Sequence, residues 1–133
     1  MSSSSDLPLK YYSLWWWLGW LFVAVIIVLS LMPAPPAVPG LSDKVEHAFA
    51  YALLMSWFGQ LGKLSVKWII GWASMGVAIE IMQGLSGYRY FDYYDMVANS
   101  TGVLIGWLLL KSHKLQYLFF IEHLVSIGKE NTK

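Results

Sequence analysis

Two polar segments of an otherwise apolar chain carry the side chains that can do chemistry. The first, residues 43 to 51, supplies acids, a lysine and a histidine, and the second, residues 80 to 99, supplies acids, amides and an arginine. Together they give a candidate binding set: Asp43, Lys44, His47, Glu80, Gln83, Arg89, Asp92, Asp95 and Asn99. Lysine and arginine bind phosphate or carboxylate groups, and acids bind amines or hydroxyl groups. A histidine oriented by a carboxylate can also act as a general base.

The composition places these groups in a membrane. Of the 133 residues, 57% are hydrophobic and 13% are charged, whereas an ordinary soluble domain is about 25% charged. Ionisable side chains in the hydrocarbon region face the interior of a bundle, find partners and mark function. A net charge of +1 without a basic patch argues against nucleic acid as a partner. The absence of cysteine excludes disulfides and thiolate chemistry.

Four apolar runs are expected to cross this membrane as helices. The first, residues 11 to 32, is uncharged and long enough for a hydrocarbon core of ~30 Å. The proline-rich residues 33 to 40 cannot continue a helix. Three helices with shorter uncharged parts follow, and their charged ends must help them to span: residues 41 to 62, 68 to 86 and 95 to 110. The fold class predicted is therefore an all-α membrane protein with four transmembrane helices.

Both ends of the chain are expected to lie outside the bundle. Residues 1 to 10 are polar and predict a disordered cytoplasmic tail. Within residues 113 to 133, the segment 115 to 128 is too short to cross, and its polar positions recur at helical spacing. This pattern predicts a C-terminal amphipathic helix in the membrane interface, followed by a short tail. The domain boundaries predicted are 1–10, 11–112 and 113–133.

The lysines are unevenly divided between the two ends of the bundle. One set flanks the chain termini and the second loop: Lys10, Lys63, Lys67, Lys111, Lys114, Lys129 and Lys133. The other two loops hold only Lys44 and Arg89. Since positively charged flanks stay in the cytoplasm, we expect a multi-pass protein of the cell inner (cytoplasmic) membrane with both termini cytoplasmic. The two polar segments would then share the outer face.

Helical spacing gathers the polar side chains of each helix on one face. Asp43 and His47, and likewise Asp95 and Asn99, are four residues apart and therefore lie on the same side of their helices. Three glycines would let the helices approach closely: Gly76, Gly102 and Gly106. A lone Glu80 inside its helix needs compensation, so we expect an ion pair between Glu80 and Arg89.

The order of these motifs resembles that of the VanZ-like family, small bacterial membrane proteins named for a teicoplanin-resistance accessory protein. The matching stretches are DKVEHAFAY (43 to 51), EIMQ (80 to 83), RYFDYYD (89 to 95) and NSTG (99 to 102). The resemblance covers about residues 42 to 106. It implies a short multi-helix membrane domain with a link to glycopeptide tolerance at the cell envelope, and it implies no established reaction.

Three functions are compatible with this polar set. In the first, a pocket of the outer leaflet recognises a lipid-linked cell-wall precursor, a glycopeptide or another amphiphile, with membrane lipids as partners and no cofactor. In the second, a hydrolase or transferase acts on a lipid or cell-wall precursor; its catalytic candidates are His47, Glu80, Asp92 and Asp95. In the third, the polar groups only pair the helices. A single histidine among ion-paired acids is more often a hydrogen-bonded core residue than a ligand, so the sequence predicts no metal site.

Overall fold

A computed structural model describes residues 9–62, 64–112 and 116–130 of the chain. These residues form five α-helices and no strand: α1 (Tyr12–Leu31), α2 (Asp43–Leu61), α3 (Val66–Leu85), α4 (Tyr93–Lys111) and α5 (Tyr117–Glu130). The all-helical fold is confirmed, and each predicted helix is present with its bounds shifted by at most two residues. By length and composition, α1 and α3 are long and apolar enough to cross a membrane.

The helices begin where short polar side chains satisfy the free N–H groups of the first turn. Ser42 precedes α2, and its hydroxyl accepts the N–H of Val45 at 3.4 Å. Asp92 precedes α4 in the same way, with its Oδ1 2.8 Å from the N–H of Tyr94. Such capping offsets the loss of intrahelical partners at helix N-termini. The two caps fix the first turns of α2 and α4, which carry most of the polar set.

Successive helices run in alternate directions. Gln83, near the end of α3, donates to the carbonyl of Ser30 near the end of α1 at 2.7 Å. The indole of Trp57, near the end of α2, donates to the carbonyl of Trp15 at the start of α1 at 2.9 Å. The end of α1 and α3 therefore meets the start of α2 and α4. We call this the polar end, and the opposite end of the bundle the aromatic end.

Two glycines of α4 set the distance between α2 and α4. A side-chain carbon added at Gly102 would overlap the backbone of Ala48, lying 2.8 Å from its carbonyl carbon and 2.9 Å from its Cα. One added at Gly106 would lie 2.5 Å from the carbonyl oxygen of Ala52. The close approach predicted for these glycines is confirmed. It brings the polar residues at the two helix starts within hydrogen-bonding reach.

Aromatic rings fill the core at the aromatic end. Phe58 of α2 is fully buried, and its ring centroid lies 5.0 Å from that of Trp72 and 5.3 Å from that of Trp68. Trp16 and Trp20 of α1 contact the same phenyl ring edge-on, at 5.6 and 5.4 Å. Such pairs add ~0.5 to 1.5 kcal/mol each beyond the burial of their area. This end is a packed core that holds α1, α2 and α3 in register.

Helix α5 docks against the aromatic end through Glu122. The Glu122 carboxylate accepts the backbone N–H groups of Lys10 and Tyr11 at 2.8 and 2.9 Å and the indole N–H of Trp15 at 2.6 Å. Burial raises the pKa of this carboxyl, but the three donors outweigh it and bring the pKa below its ordinary value. Glu122 thereby fixes the two residues that precede α1, whose N-terminus has no capping side chain.

The two faces of α5 differ in polarity. Leu118 is fully buried, and its N–H donates to Gln60 of α2 at 3.0 Å. Large apolar side chains elsewhere on α5 stay exposed: Phe120, Ile121, Leu124, Val125 and Ile127. The polar residues His123, Ser126 and Lys129 recur every three positions between them, so the amphipathic character predicted for this segment is present. Of the predicted N-terminal tail, residues 1–8 lie outside the described residues, and Leu9 is buried against the bundle.

Candidate functional site

Lys44 lies at the centre of the polar end, among three acids. Its ammonium is 2.5 Å from Oδ2 of Asp92 and 3.3 Å from Oδ2 of Asp43, and it also contacts Oδ1 of Asp95. The Lys44 ammonium, together with the N–H of Tyr94, holds the pKa of the Asp92 carboxyl below its ordinary value. These contacts join the first turn of α2 to the first turn of α4. The Lys44 ammonium is thus occupied by ion pairs with acids of the chain itself.

His47 lies one helical turn further into the bundle and faces the same acids. Its Nε2 is 3.4 Å from Oδ1 of Asp43 and 3.7 Å from Oδ2 of Asp95. Its Nδ1 is 3.0 Å from the amide oxygen of Asn99. Asp95 and Asn99 are buried and the His47 side chain is 16% exposed. We call Asp43, Lys44, His47, Asp92, Asp95 and Asn99 the polar cluster.

Glu80 lies behind this cluster, in the interior of α3. Its side chain is fully buried, and its Oε2 accepts the backbone N–H of Asp92 at 3.2 Å. Its other oxygen, Oε1, has no hydrogen-bond partner among the described residues. The Tyr51 hydroxyl, also buried, likewise has no hydrogen-bond partner among them. Two polar atoms in the middle of the bundle are therefore unsatisfied, and each such group costs ~1 to 3 kcal/mol.

The ion pair predicted between Glu80 and Arg89 is not formed. Arg89 instead extends its guanidinium toward the linker, where Nη1 is 3.5 Å from the carbonyl oxygen of Met32. Its loop position explains this direction, because the turn at Gly87, with a φ of +79°, carries the chain away from α3 before Arg89. The backbone of Asp92 takes the place next to Glu80 that the guanidinium was expected to fill.

Gln83 and Arg89 belong to a different set of contacts from the other predicted binding residues. The last carbonyls of a helix lack intrahelical donors, and three residues from the end of α3 and its loop supply them to α1. Gln83 donates to Ser30, the Tyr88 hydroxyl donates to Leu31 at 2.8 Å, and Arg89 donates to Met32. Of the nine predicted binding residues, Gln83 and Arg89 thus contact the end of α1 and lie outside the polar cluster.

A cavity of about 760 Å³ opens beside the polar cluster. Its apolar walls come from α1, the proline-rich linker and α2, and include Ile26, Leu29, Pro35, Pro36, Val45 and Phe49. Its polar lining comes from Asp43, Glu46, His47, Tyr51 and Arg89. Sequence reasoning missed the contribution of α1 and the linker, because their side chains here are apolar and carry no chemical signature. The cavity therefore combines apolar walls with charged side chains at the polar end of the bundle.

The sequence profile of the VanZ/LLP1 family matches residues 9–119. The chain belongs to the VanZ/LLP1 family. Uncharacterized protein C11E3.10 of Schizosaccharomyces pombe is similar to it, with 30% identity over 96 aligned positions; the alignment covers 67% of this chain and 59% of that protein. The chain thus spans about three-fifths of the length of this relative. No solved structure matches this chain.

Membership of the VanZ/LLP1 family confirms the resemblance drawn from the motifs, and the match extends from that core into α1 and α5. Together with two helices apolar enough to cross a bilayer, it indicates a membrane protein. In this VanZ/LLP1 chain, the DKVEH stretch of α2 and the NSTG stretch of α4 contact each other through His47 and Asn99. The RYFDYYD stretch supplies two of the three acids that contact Lys44, Asp92 and Asp95.

Proposed function

We propose that α1 to α4 all cross the membrane and that both termini lie on the cytoplasmic side. Helices α2 and α4 have 19 residues each, a length of ~28 Å at 1.5 Å per residue, close to the ~30 Å of a hydrocarbon core. Both pack along the apolar helices α1 and α3 in alternating directions, and the acid and amide of α4 that would be unfavourable in lipid, Asp95 and Asn99, are buried inside the bundle. The lysines at the aromatic end and at the termini support the orientation; among these, Lys63, Lys114 and Lys133 lie outside the described residues.

Single cysteines should report this orientation, because the chain has none of its own. Tyr90 at the polar end is 93% exposed, and Lys67 at the start of α3 is exposed at the aromatic end. We expect an impermeant thiol reagent to label Tyr90→Cys in intact cells and to label Lys67→Cys only after permeabilisation. The reverse pattern would invert the topology. Labelling of both positions from outside would place α3 on one side of the membrane and contradict a span there.

Within this topology, the polar end recognises the phosphate-bearing head group of a lipid-linked ligand from the outer leaflet. The cavity is the observation that supports this assignment, since its apolar walls suit a lipid chain and its charged end suits a head group. Arg89 lines that end and, among the described residues, forms no ion pair. A guanidinium presents five N–H donors in a planar fork that matches phosphate.

The family relationship connects this ligand to the cell envelope. VanZ-like proteins are named for teicoplanin resistance, so a lipid-linked cell-wall precursor or the glycopeptide itself is a natural occupant in a bacterium. A similar protein occurs in a yeast. This favours a ligand of a kind that membranes in general contain, a phosphate on a long apolar chain. The head group is accordingly assigned by class, as a lipid-linked phosphate.

Binding of an alkyl phosphate tests the assignment. We expect dodecyl phosphate to bind the purified protein in a neutral detergent and Arg89→Gln to weaken it ~10 to 100-fold, the equivalent of the ~1.5 to 3 kcal/mol of a charge-assisted hydrogen bond. Lys67→Gln is the matched control, because it removes one positive charge at the opposite end. Equal affinity of the wild type and Arg89→Gln, or equally tight binding of an uncharged dodecyl glucoside, would contradict a phosphate site.

A second candidate function, hydrolysis of the same lipid-linked phosphate, is favoured by the position of His47. Its Nε2 lies on the cavity wall beside two carboxylates, Asp43 and Asp95, an arrangement in which a histidine can accept a proton from water. Arg89 would stabilise negative charge that develops on the phosphate. Release of inorganic phosphate from a lipid phosphate, lost in His47→Gln with binding retained, would separate hydrolysis from recognition alone.

A further inference from the structure

We propose that Asp43, His47 and Asp95 bind one divalent cation on the wall of the cavity. The ligand atoms are Oδ1 of Asp43, Nε2 of His47 and Oδ2 of Asp95. These contacts define the site. Only its further role, in which an open coordination position meets the head group, rests on the proposed recognition of a lipid-linked phosphate, and a metal on Nε2 excludes His47 as the general base of the second candidate function.

The distances between the ligand atoms approach those of neighbouring ligands around a metal. One ligand atom of each residue lies within 4.8 Å of those of the other two, and Nε2 of His47 is 3.4 and 3.7 Å from the two carboxylate oxygens. With metal–ligand bonds of ~2.0 to 2.2 Å, adjacent ligands of a tetrahedral or octahedral site lie about 3.0 to 3.5 Å apart. Small side-chain rotations would therefore complete the site. A mixed set of imidazole and carboxylates suits Zn²⁺ as well as Mn²⁺.

Asn99 orients His47 as the partner of a metal-binding histidine does. The amide oxygen of Asn99 can only accept a hydrogen bond, so Nδ1 of His47 carries the proton that joins them at 3.0 Å. Nε2 then faces the oxygens of Asp43 and Asp95 at 3.4 and 3.7 Å, and a proton or a metal ion can lie between these atoms. Metal-ligating histidines generally donate their other N–H to an oxygen in this way.

Lys44 does not compete for the same atoms. Its ammonium contacts Oδ2 of Asp43 and Oδ1 of Asp95, whereas the remaining oxygen of each acid faces His47. Each carboxylate thus divides its two oxygens between the lysine and the histidine. A cation beside His47 and the ammonium of Lys44 can be bound together.

The polar end carries more acidic groups than cationic groups. Asp43, Asp92 and Asp95 bring three carboxylates against the single ammonium of Lys44. A divalent ion would compensate this excess of negative charge, and its free positions would face the cavity that His47 and Asp43 line.

Titration with Mn²⁺ tests the site. The full chain in neutral detergent, free of added amphiphile, is expected to bind one Mn²⁺, seen as loss of the electron paramagnetic resonance signal of the free ion. Asp43→Asn should abolish saturable binding, and because the Asp43 side chain is 59% exposed, the fold should tolerate this change. Asn99→Ala should weaken Mn²⁺ binding ~10 to 100-fold, as expected when the partner of a ligating histidine is lost.

Glu46→Gln is the matched control, since this acid lies on the same helix and lines the cavity without facing His47. It should bind Mn²⁺ as the wild type does, with the elution volume of each variant confirming its fold. Absence of saturable binding in the wild type, or unchanged binding in Asp43→Asn, would overturn the proposal, as would equal losses in Asp43→Asn and Glu46→Gln. Because no lipid is present, failure here leaves the dodecyl phosphate result to be judged separately.

Discussion

Replacing Gly102 with alanine is expected to lower the free energy of unfolding by ~3 kcal/mol or more, at or above the upper end of the usual cost of overpacking. The added methyl group would overlap the carbonyl group of Ala48 and meet its Cα at 2.9 Å. These atoms belong to the backbone of α2, so no side chain can rotate away to make space. The two helices must separate, which also pulls His47 away from Asn99.

Unfolding in detergent, followed by circular dichroism, measures this loss. Gly71→Ala is the matched control, because Gly71 lies in the interior of α3 with no atom within 4 Å of the added carbon. Alanine there is expected to be neutral or to stabilise by up to ~1 kcal/mol through its higher helix propensity. Similar losses at both positions would show that helix propensity, and not the contact between α2 and α4, decides the stability. No loss at Gly102 would contradict the close approach itself.

Much of the bundle could be predicted because its elements follow from local signals. The uncharged run of α1, the proline-rich stop and the polar starts of α2 and α4 place the helices to within two residues. Spacings of three or four residues place Asp43 beside His47 and Asp95 beside Asn99 on common faces. The glycines of α4 predict where the backbones of α2 and α4 approach closely. Each of these inferences depends on residues close together in the sequence.

The pairing across helices could not be predicted in the same way. Helical spacing shows which face Glu80 occupies, but its partner is the backbone N–H of Asp92, and a backbone group has no sequence signature. Arg89 was assigned to Glu80 by charge alone, whereas the course of its loop directs it to Met32. Glu122 lies in the predicted interfacial helix, and its contacts with the residues before α1 depend on how α5 docks. The contacts that sequence reasoning missed are therefore those between segments distant in the chain.

Replacing Lys44 is expected to cause the second large loss of stability, because its ammonium compensates the negative charges of acids that would otherwise repel one another. Lys44→Met leaves Asp95, which is buried, without its cation and next to Asp43 and Asp92. Removing one partner of a buried ion pair costs ~3 to 5 kcal/mol. We expect ~3 kcal/mol, the lower end of this range, since the Lys44 side chain is 39% exposed and solvent screens part of the charge.

A double-mutant cycle isolates the contribution of the pair. Asp95→Asn alone should cost less than Lys44→Met, because Lys44 keeps Asp43 and Asp92 as partners. Adding Asp95→Asn to Lys44→Met should then recover part of the loss, since the buried carboxylate is gone. Lys67→Met, which removes an exposed lysine at the other end, should change stability by no more than ~0.5 kcal/mol. If the losses of Lys44→Met and Asp95→Asn simply add in the double variant, the two side chains act independently, and Lys44 must join α2 to α4 through Asp92 instead.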